Sequence, residues 1–194
     1  MYKRQAEETL AADANQAWDL ETALHFAESV KEAQLAWLEE PIAAYASHTE
    51  WQALAAAAPM PLAAGENIAG VETFQTVATQ GYLDVIQPDV IKWGGLSGCY
   101  DAANLAVNAG ARYCPHYLGG GIGLAASAEL LAAVGGDGLL EVDVNPNPLR
   151  EAFGVCKTSL KGAGWHCLDQ PGLGIETLPE EIAQYQTAEV DLYA

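Results

Sequence analysis

Positive charge is scarce in this chain. Its 194 residues include only eight Lys and Arg against 26 Asp and Glu, which gives a formal net charge of −18. A surface of that sign repels a phosphate backbone, because nucleic-acid binding depends on basic side chains that release counterions. We therefore expect no nucleic-acid partner.

Paired cysteines and long apolar runs are also lacking. The four cysteines, Cys99, Cys114, Cys156 and Cys167, include no Cys-x-x-Cys pair, and a chain of this length has little need of disulfides. We expect free thiols in a reducing cytoplasm. No apolar run reaches the roughly 18 residues that a membrane helix needs, and no signal-peptide pattern opens the chain. We therefore expect no membrane partner.

The first residues do not resemble the rest of the sequence. Residues 1–5, Met-Tyr-Lys-Arg-Gln, match a translation of the end of a transposon adapter used in sequencing libraries. We interpret them as a scar and leave them out of the fold prediction. On this interpretation the native sequence begins near Ala6, and the upstream part of the gene is missing.

Short apolar runs alternate with stretches of helical period. The runs are 10–12, 36–38, 62–64, 83–86, 112–114 and 139–142. The predicted helices are about 20–34, 50–58, 71–80, 98–109 and 124–134. This alternation is typical of a parallel sheet covered by helices, either doubly wound or part of an eightfold barrel. After residue 144, Pro and Gly break the pattern, so we expect a strand-helix region over 6–144 and an irregular segment over 145–194.

One polar residue ends or closely follows each apolar run. In chain order these residues are Asp13, Glu39, Glu66, Asp89, His116 and Glu141. Successive separations are 26, 27, 23, 27 and 25 residues, close to one strand-helix unit each. A strand-end acid is often only a helix cap or a solvated loop residue. In a barrel, however, equivalent strand ends open onto one face, where catalytic residues gather.

The first three of these residues predict a metal site. Asp13, Glu39 and Glu66 would repel one another in a partly buried mouth, so a cation is needed to compensate their charge. Carboxylate oxygens that leave room for water suit Mg²⁺ better than zinc.

The sequences around these residues resemble metal and catalytic segments of the enolase superfamily. Residues 12–15 (Ala-Asp-Ala-Asn), 38–41 (Leu-Glu-Glu-Pro) and 65–67 (Gly-Glu-Asn) are similar to its metal-ligand segments on the third to fifth strands. Residues 87–95 resemble the sixth-strand segment of the mandelate racemase subgroup, which has Asp where the muconate-lactonizing subgroup has a catalytic lysine. Pro115-His116 and Leu140-Glu141 then resemble its seventh and eighth strands.

The resemblance implies an α/β fold, a partial TIM-type (β/α)7β barrel containing strands three to eight. The family's N-terminal capping domain, its first barrel strands and its second-strand lysine pair would be missing. We expect residues 145–194 to pack on that capping domain. We also expect the isolated chain to expose apolar surface and to bind metal poorly, and the full-length protein to be a homo-oligomer.

The resemblance also implies Mg²⁺-dependent removal of the proton alpha to a carboxylate, through an enediolate. Asp13, Glu39 and Glu66 would hold Mg²⁺. His116 would be the base, because imidazole titrates near working pH. Asp89 would fix its tautomer, and a protonated Glu141 would donate to the substrate carboxylate.

Further polar residues are expected around this site. Lys92, Asn15 and Asn67 would support the metal carboxylates or contact substrate. Glu40 is either a group that orients the ligands or the exposed neighbour of Glu39, and we do not count it as a ligand.

The predicted reaction is dehydration of a sugar acid, the commonest activity of the subgroup. One alternative is a racemase or epimerase acting on a 2-hydroxy acid. The other is an inactive barrel fragment or a metal-dependent binding protein.

Overall fold

The computed structural model describes residues 8–154, 160–161, 164–167 and 169–190. Five strands and five helices alternate along its first part: β1 (Ala12–Asp13), α1 (Leu20–Ser29), β2 (Leu38–Glu39), α2 (His48–Ala57), β3 (Leu62–Ala64), α3 (Val71–Gln80), β4 (Val85–Ile86), α4 (Gly95–Asn108), β5 (Arg112–Tyr113) and α5 (Gly121–Val134). The predicted scar and Cys156 lie outside the described residues.

The five strands form one parallel sheet in the order β1-β2-β3-β4-β5. Asp13 pairs with Glu39 across β1 and β2, and Ile86 pairs with Tyr113 across β4 and β5. The predicted α/β fold with a parallel sheet is therefore confirmed. Because the strands are parallel, the residues that follow them meet at one edge of the sheet.

Local capping sets the helix ends. Ser47 and Glu50 form a reciprocal capping box, so α2 begins at His48, two residues before its predicted start. A left-handed Gly81 (φ 65°) ends α3 at Gln80, and the predicted bounds of α3 and β3 are confirmed. The first predicted helix is too long: α1 ends at Ser29, and a 3-10 turn over Lys31–Ala33 follows it.

The two faces of the sheet bury different residues. Leu38, Leu62 and Ile86 belong to the main core, where they share a cluster with helix residues such as Phe74. Ala63, Val85 and Cys114 form a separate small cluster with Trp37. Because side chains alternate along a strand, this second set marks the inner face of the sheet.

The prediction of a strand at 139–142 is wrong, because the structure assigns no strand to these residues. They run beside β5 without a backbone ladder. The N–H of Leu139 donates to Sγ of Cys114 at 3.3 Å instead of to a β5 carbonyl. Gly138 lies so close to β5 that a Cβ there would be 1.9 Å from the carbonyl oxygen of Tyr113.

The C-terminal region contains short elements only. These are α6 (Pro148–Glu151), an antiparallel pair of β6 (Leu160–Lys161) and β7 (Gly164–Trp165), and a 3-10 turn over Glu180–Tyr185. Within the described residues, every helix lacks the length or the apolar character needed to cross a bilayer.

Candidate active site

The candidate site lies where the strands end. Asp89 follows β4, and its Oδ1 accepts hydrogen bonds from the backbone N–H groups of Ile91 (2.8 Å) and Lys92 (3.2 Å). These bonds fix the carboxylate and leave Oδ2 to His116, whose Nδ1 is 2.6 Å away. Asp89 is 2% exposed and His116 is 8% exposed, so the two side chains form a buried pair.

The pair determines where the imidazole carries its proton. Because a carboxylate only accepts, Nδ1 of His116 donates to Asp89, and Nε2 is the atom left to gain or lose a proton. Nε2 contacts Oε2 of Glu66 and lies 4.0 Å from Oε2 of Glu141. Burial lowers the pKa of His116, but the hydrogen bonds to Asp89 and Glu66 outweigh it and raise the pKa to about 10.

Glu66 connects this pair to two more predicted site residues. Its Oε2 is 3.2 Å from Nζ of Lys92, and its Oε1 accepts a hydrogen bond from Nδ2 of Asn67 at 2.8 Å. The hydrogen bond from His116 is the main reason that the pKa of Glu66 falls to about 2, against the opposing effect of burial. The structure thus brings four predicted residues together around the carboxylate of Glu66: His116, Lys92 and Asn67 contact it, and Asp89 is joined to it through His116.

Glu39 is held by two hydrogen-bond donors that were not predicted from the sequence. Its Oε2 accepts hydrogen bonds from Nε1 of Trp37 at 3.1 Å and from Nε2 of Gln87 at 2.9 Å. The strand alternation contained a signal, since Trp37 and Glu39 are two residues apart and therefore share a face. A cavity of about 300 Å³ lies beside these side chains and extends to Cys114 and Glu141.

Glu40 is not an exposed neighbour of Glu39, and that interpretation is wrong. It is 1% exposed, and its backbone is left-handed (φ 38°). Its Oε2 accepts a hydrogen bond from Nδ2 of Asn67 at 2.7 Å, while Oε1 is buried without a partner among the described residues. Burial raises the pKa of Glu40, and the nearby charges of Glu66, Asp13 and Glu39 add to the rise.

Asp13 and Asn15 lie outside the hydrogen-bonded cluster around His116. Both are exposed, and Oδ1 of Asp13 accepts a hydrogen bond from the backbone N–H of Asn15 at 2.7 Å. The sheet register places Asp13 beside Glu39. Within the described part of the chain, neither side chain is bonded to the cluster around His116.

Glu141 reaches the site from the segment that follows α5. Its Oε2 accepts a hydrogen bond from the backbone N–H of Tyr117 at 2.7 Å, and its side chain is 45% exposed. Partial burial raises its pKa. A raised pKa favours the protonated form of Glu141, which is the form that the predicted role requires.

The donor chemistry of the site fits a hard cation. Asp13, Glu39 and Glu66 offer carboxylate oxygens of the kind that Mg²⁺ prefers, and their negative charges add to the rise in the pKa of the neighbouring Glu40. Across the described residues, however, no three His, Cys, Asp or Glu side chains are close enough together to hold a metal ion. Oε2 of Glu66 is engaged by His116 and Lys92. The assignment of metal ligands therefore stays a prediction.

Comparison with known families identifies the fold. A model of the enolase C-terminal domain-like family matches residues 3–182. The chain belongs to this family. The resemblance inferred from the sequence segments is therefore confirmed.

Several relatives of this enolase-family chain are known. A mandelate racemase/muconate lactonizing enzyme from Bordetella bronchiseptica is 54% identical, with a TM-score of 0.84 over 87% of this chain and 47% of that one. L-talarate dehydratase from Polaromonas, solved with Mg and L-glucarate, is 30% identical, with a TM-score of 0.63 over 70% of this chain and 36% of that one. D-galactarolactone cycloisomerase from Agrobacterium fabrum is 29% identical over 91% of this chain and 49% of that protein.

Other curated relatives are dehydratases of talarate or galactarate, arabinonate and galactonate. The chain spans about half the length, or less, of the curated relatives it matches. Several relatives of this chain are therefore named as enzymes of sugar acids or their lactones.

Proposed function

We propose that the full-length protein abstracts the proton alpha to the carboxylate of a sugar acid in a Mg²⁺-dependent reaction and dehydrates it to a 2-keto acid. One observation carries the proposal: His116 and Asp89 form a buried pair, and Nε2 of His116 contacts the proposed metal ligand Glu66. The dehydratases among the relatives support the choice of reaction.

His116 is the proposed base. Asp89 accepts the Nδ1 proton and holds the ring. With Glu66 engaged by Mg²⁺ instead of by Nε2, neutral His116 would present the Nε2 lone pair to the alpha proton. After abstraction the negative charge of Asp89 stabilises the imidazolium. In dehydration, Nε2 then returns the proton to the departing beta hydroxyl, which leaves as water, and the resulting enol converts to the 2-keto acid.

Asp13, Glu39 and Glu66 are the proposed Mg²⁺ ligands, with Lys92, Asn15 and Asn67 as their support. Bound Mg²⁺ supplies Lewis-acid stabilisation of the charge that develops on the substrate carboxylate. The Mg-containing talarate dehydratase structure supports this choice of metal. Glu141, whose pKa is raised by partial burial, would donate to the substrate carboxylate in its protonated form.

The proposal extends to the architecture. Strands β1 to β5 correspond to strands three to seven of a (β/α)7β barrel, and residues 139–142 take the place of the eighth. The C-terminal segment 145–194 would pack on a capping domain. The first part of this segment packs on the sheet-and-helix region, since Leu149 and Phe153 lie against Gly120 and Gly121 at the start of α5.

A product screen tests the function. The gene, extended upstream to full length, is expressed with Mg²⁺ and assayed for 2-keto product on a panel of mono- and diacid sugars. Activity should be lost in His116→Asn and Asp89→Asn and kept in His48→Asn, whose ring bonds to Tyr82 away from the site. Absence of 2-keto product from every acid of the panel would refute the proposed dehydratase activity.

A second candidate is cycloisomerisation of a sugar lactone. It is favoured by the Agrobacterium cycloisomerase, which aligns with 91% of this chain. Its product is an isomer of its substrate, whereas dehydration releases water, so mass spectrometry of the product separates the two. A racemase would be recognised by inversion at the alpha carbon.

A further inference from the structure

The side chain of Glu39 is held asymmetrically. Both donors, Nε1 of Trp37 at 3.1 Å and Nε2 of Gln87 at 2.9 Å, bond to the same oxygen, Oε2. Two hydrogen bonds from neutral donors use the lone pairs of that oxygen without cancelling the charge of the carboxylate. Among the described residues, Oε1 accepts no hydrogen bond.

The orientation of the Gln87 amide follows from its surroundings. The side chain is 5% exposed, and its own Oε1 is buried without a partner among the described residues. Turning the amide over would place that oxygen against the Glu39 carboxylate and leave the NH₂ group without its acceptor. A buried polar atom without a partner is costly, so the favoured orientation of the amide is the one that bonds Glu39.

The fold brings the three side chains together from two strands. Trp37 and Glu39 are two residues apart, so they share the inner face of the sheet. Gln87 follows β4, and its backbone N–H bonds to the carbonyl of Ala64 at 3.0 Å. Gly65 permits this approach, because a Cβ there would lie 2.4 Å from the backbone nitrogen of Gln87.

We propose that Trp37 and Gln87 are positioning residues for the metal ligand Glu39. They occupy Oε2 and present Oε1 to Mg²⁺, which makes Glu39 a ligand through one oxygen. The proposal rests on the proposed function, since it requires Mg²⁺ at Glu39. It adds two residues whose roles are to orient the ligand without touching metal or substrate.

Mg²⁺ affinity measured by calorimetry on the full-length protein tests the proposal. Trp37→Phe and Gln87→Leu remove one donor each, and each should weaken Mg²⁺ binding by roughly 10–100-fold, as loss of a ligand-orienting group does. Trp51→Phe is the matched control, because Trp51 is buried in α2 and stacks on Tyr82. It should leave the affinity unchanged. In a Glu39→Gln background, Trp37→Phe should have no further effect.

A spectroscopic signal separates positioning from general damage to the fold. In the NMR spectrum of the wild type, the indole N–H resonance of Trp37 should move when Mg²⁺ is added, while that of Trp51 should not. Unchanged affinity in both variants, or an equal loss in Trp51→Phe, would overturn the positioning role and leave the proposed function standing. A wild type that binds no Mg²⁺ would overturn the proposed function and this proposal with it.

Discussion

Replacing Asp89 with Asn should lower the pKa of His116 by about one unit. Asn keeps an oxygen that accepts the Nδ1 proton, so the 2.6 Å contact survives while the charge is lost. Hydrogen bonds to charged groups contribute about 1.5–3 kcal/mol and neutral ones about 0.5–1.5, a difference of roughly one pKa unit. The wild-type value of about 10 would therefore fall measurably, with Glu66 still holding it above 6.5.

The assay is an NMR titration of ring-labelled histidine in the chelator-treated chain, with the His116 resonance assigned by its loss in His116→Asn. Asp101→Asn is the control, since Asp101 is exposed on α4. It should leave the pKa of His116 where it is. A wild-type His116 that titrates near 6.5, or a pKa identical in Asp89→Asn, would refute the coupling between the two side chains.

Three further predictions concern stability. In the metal-free chain the pKa of Glu66 is lowered from 4.5 to about 2, so the stability that Glu66 contributes is lost as pH falls from 4.5 towards 2. The pKa of His116 is raised from 6.5 to about 10, so the stability that His116 contributes is lost as pH rises from 6.5 towards 10. The thermal midpoint should therefore peak between pH 4.5 and pH 6.5, and its alkaline decline should shrink in His116→Asn; a flat profile would contradict this. Gly65→Ala should cost roughly 1–3 kcal/mol in urea unfolding, because its Cβ would meet backbone at 2.4 Å. Ser47→Ala, which removes the capping box of α2, should cost about 1 kcal/mol in the same assay. Unchanged stability in Gly65→Ala would refute the close approach of Gly65 to Gln87, and unchanged stability in Ser47→Ala would refute the capping box.

Regular spacing made part of this site predictable. Polar residues that recur once per strand-helix unit must reach the same edge of a parallel sheet, and His116, Asp89 and Glu66 meet there as expected. Local signals set the bounds of α3, because helical periodicity and a terminal glycine coincide at Gly81. Such features depend on short stretches of sequence.

Other features depend on contacts between distant segments. Glu40 has a left-handed backbone and bonds to Asn67, 27 residues away, and no rule for β2 predicts that contact. Gln87 reaches Glu39 across 48 positions of sequence, and its approach depends on the missing side chain of Gly65. Residues 139–142 have the apolar character of a strand, yet a strand also requires a ladder with its neighbour.

The most direct test of proton abstraction is reaction in heavy water. The full-length protein is incubated with Mg²⁺ and a panel of sugar acids in D₂O, and the recovered substrate and the product are examined by NMR, for the wild type and for His116→Asn. We predict that the wild type places deuterium at the alpha carbon of recovered substrate or, where dehydration has made the alpha carbon the keto carbon, at the adjacent C3 of the product, and that His116→Asn does neither. Exchange or turnover that persists without His116, or a wild type that binds Mg²⁺ and sugar acid with neither exchange nor turnover, would contradict proton abstraction by the His116–Asp89 pair.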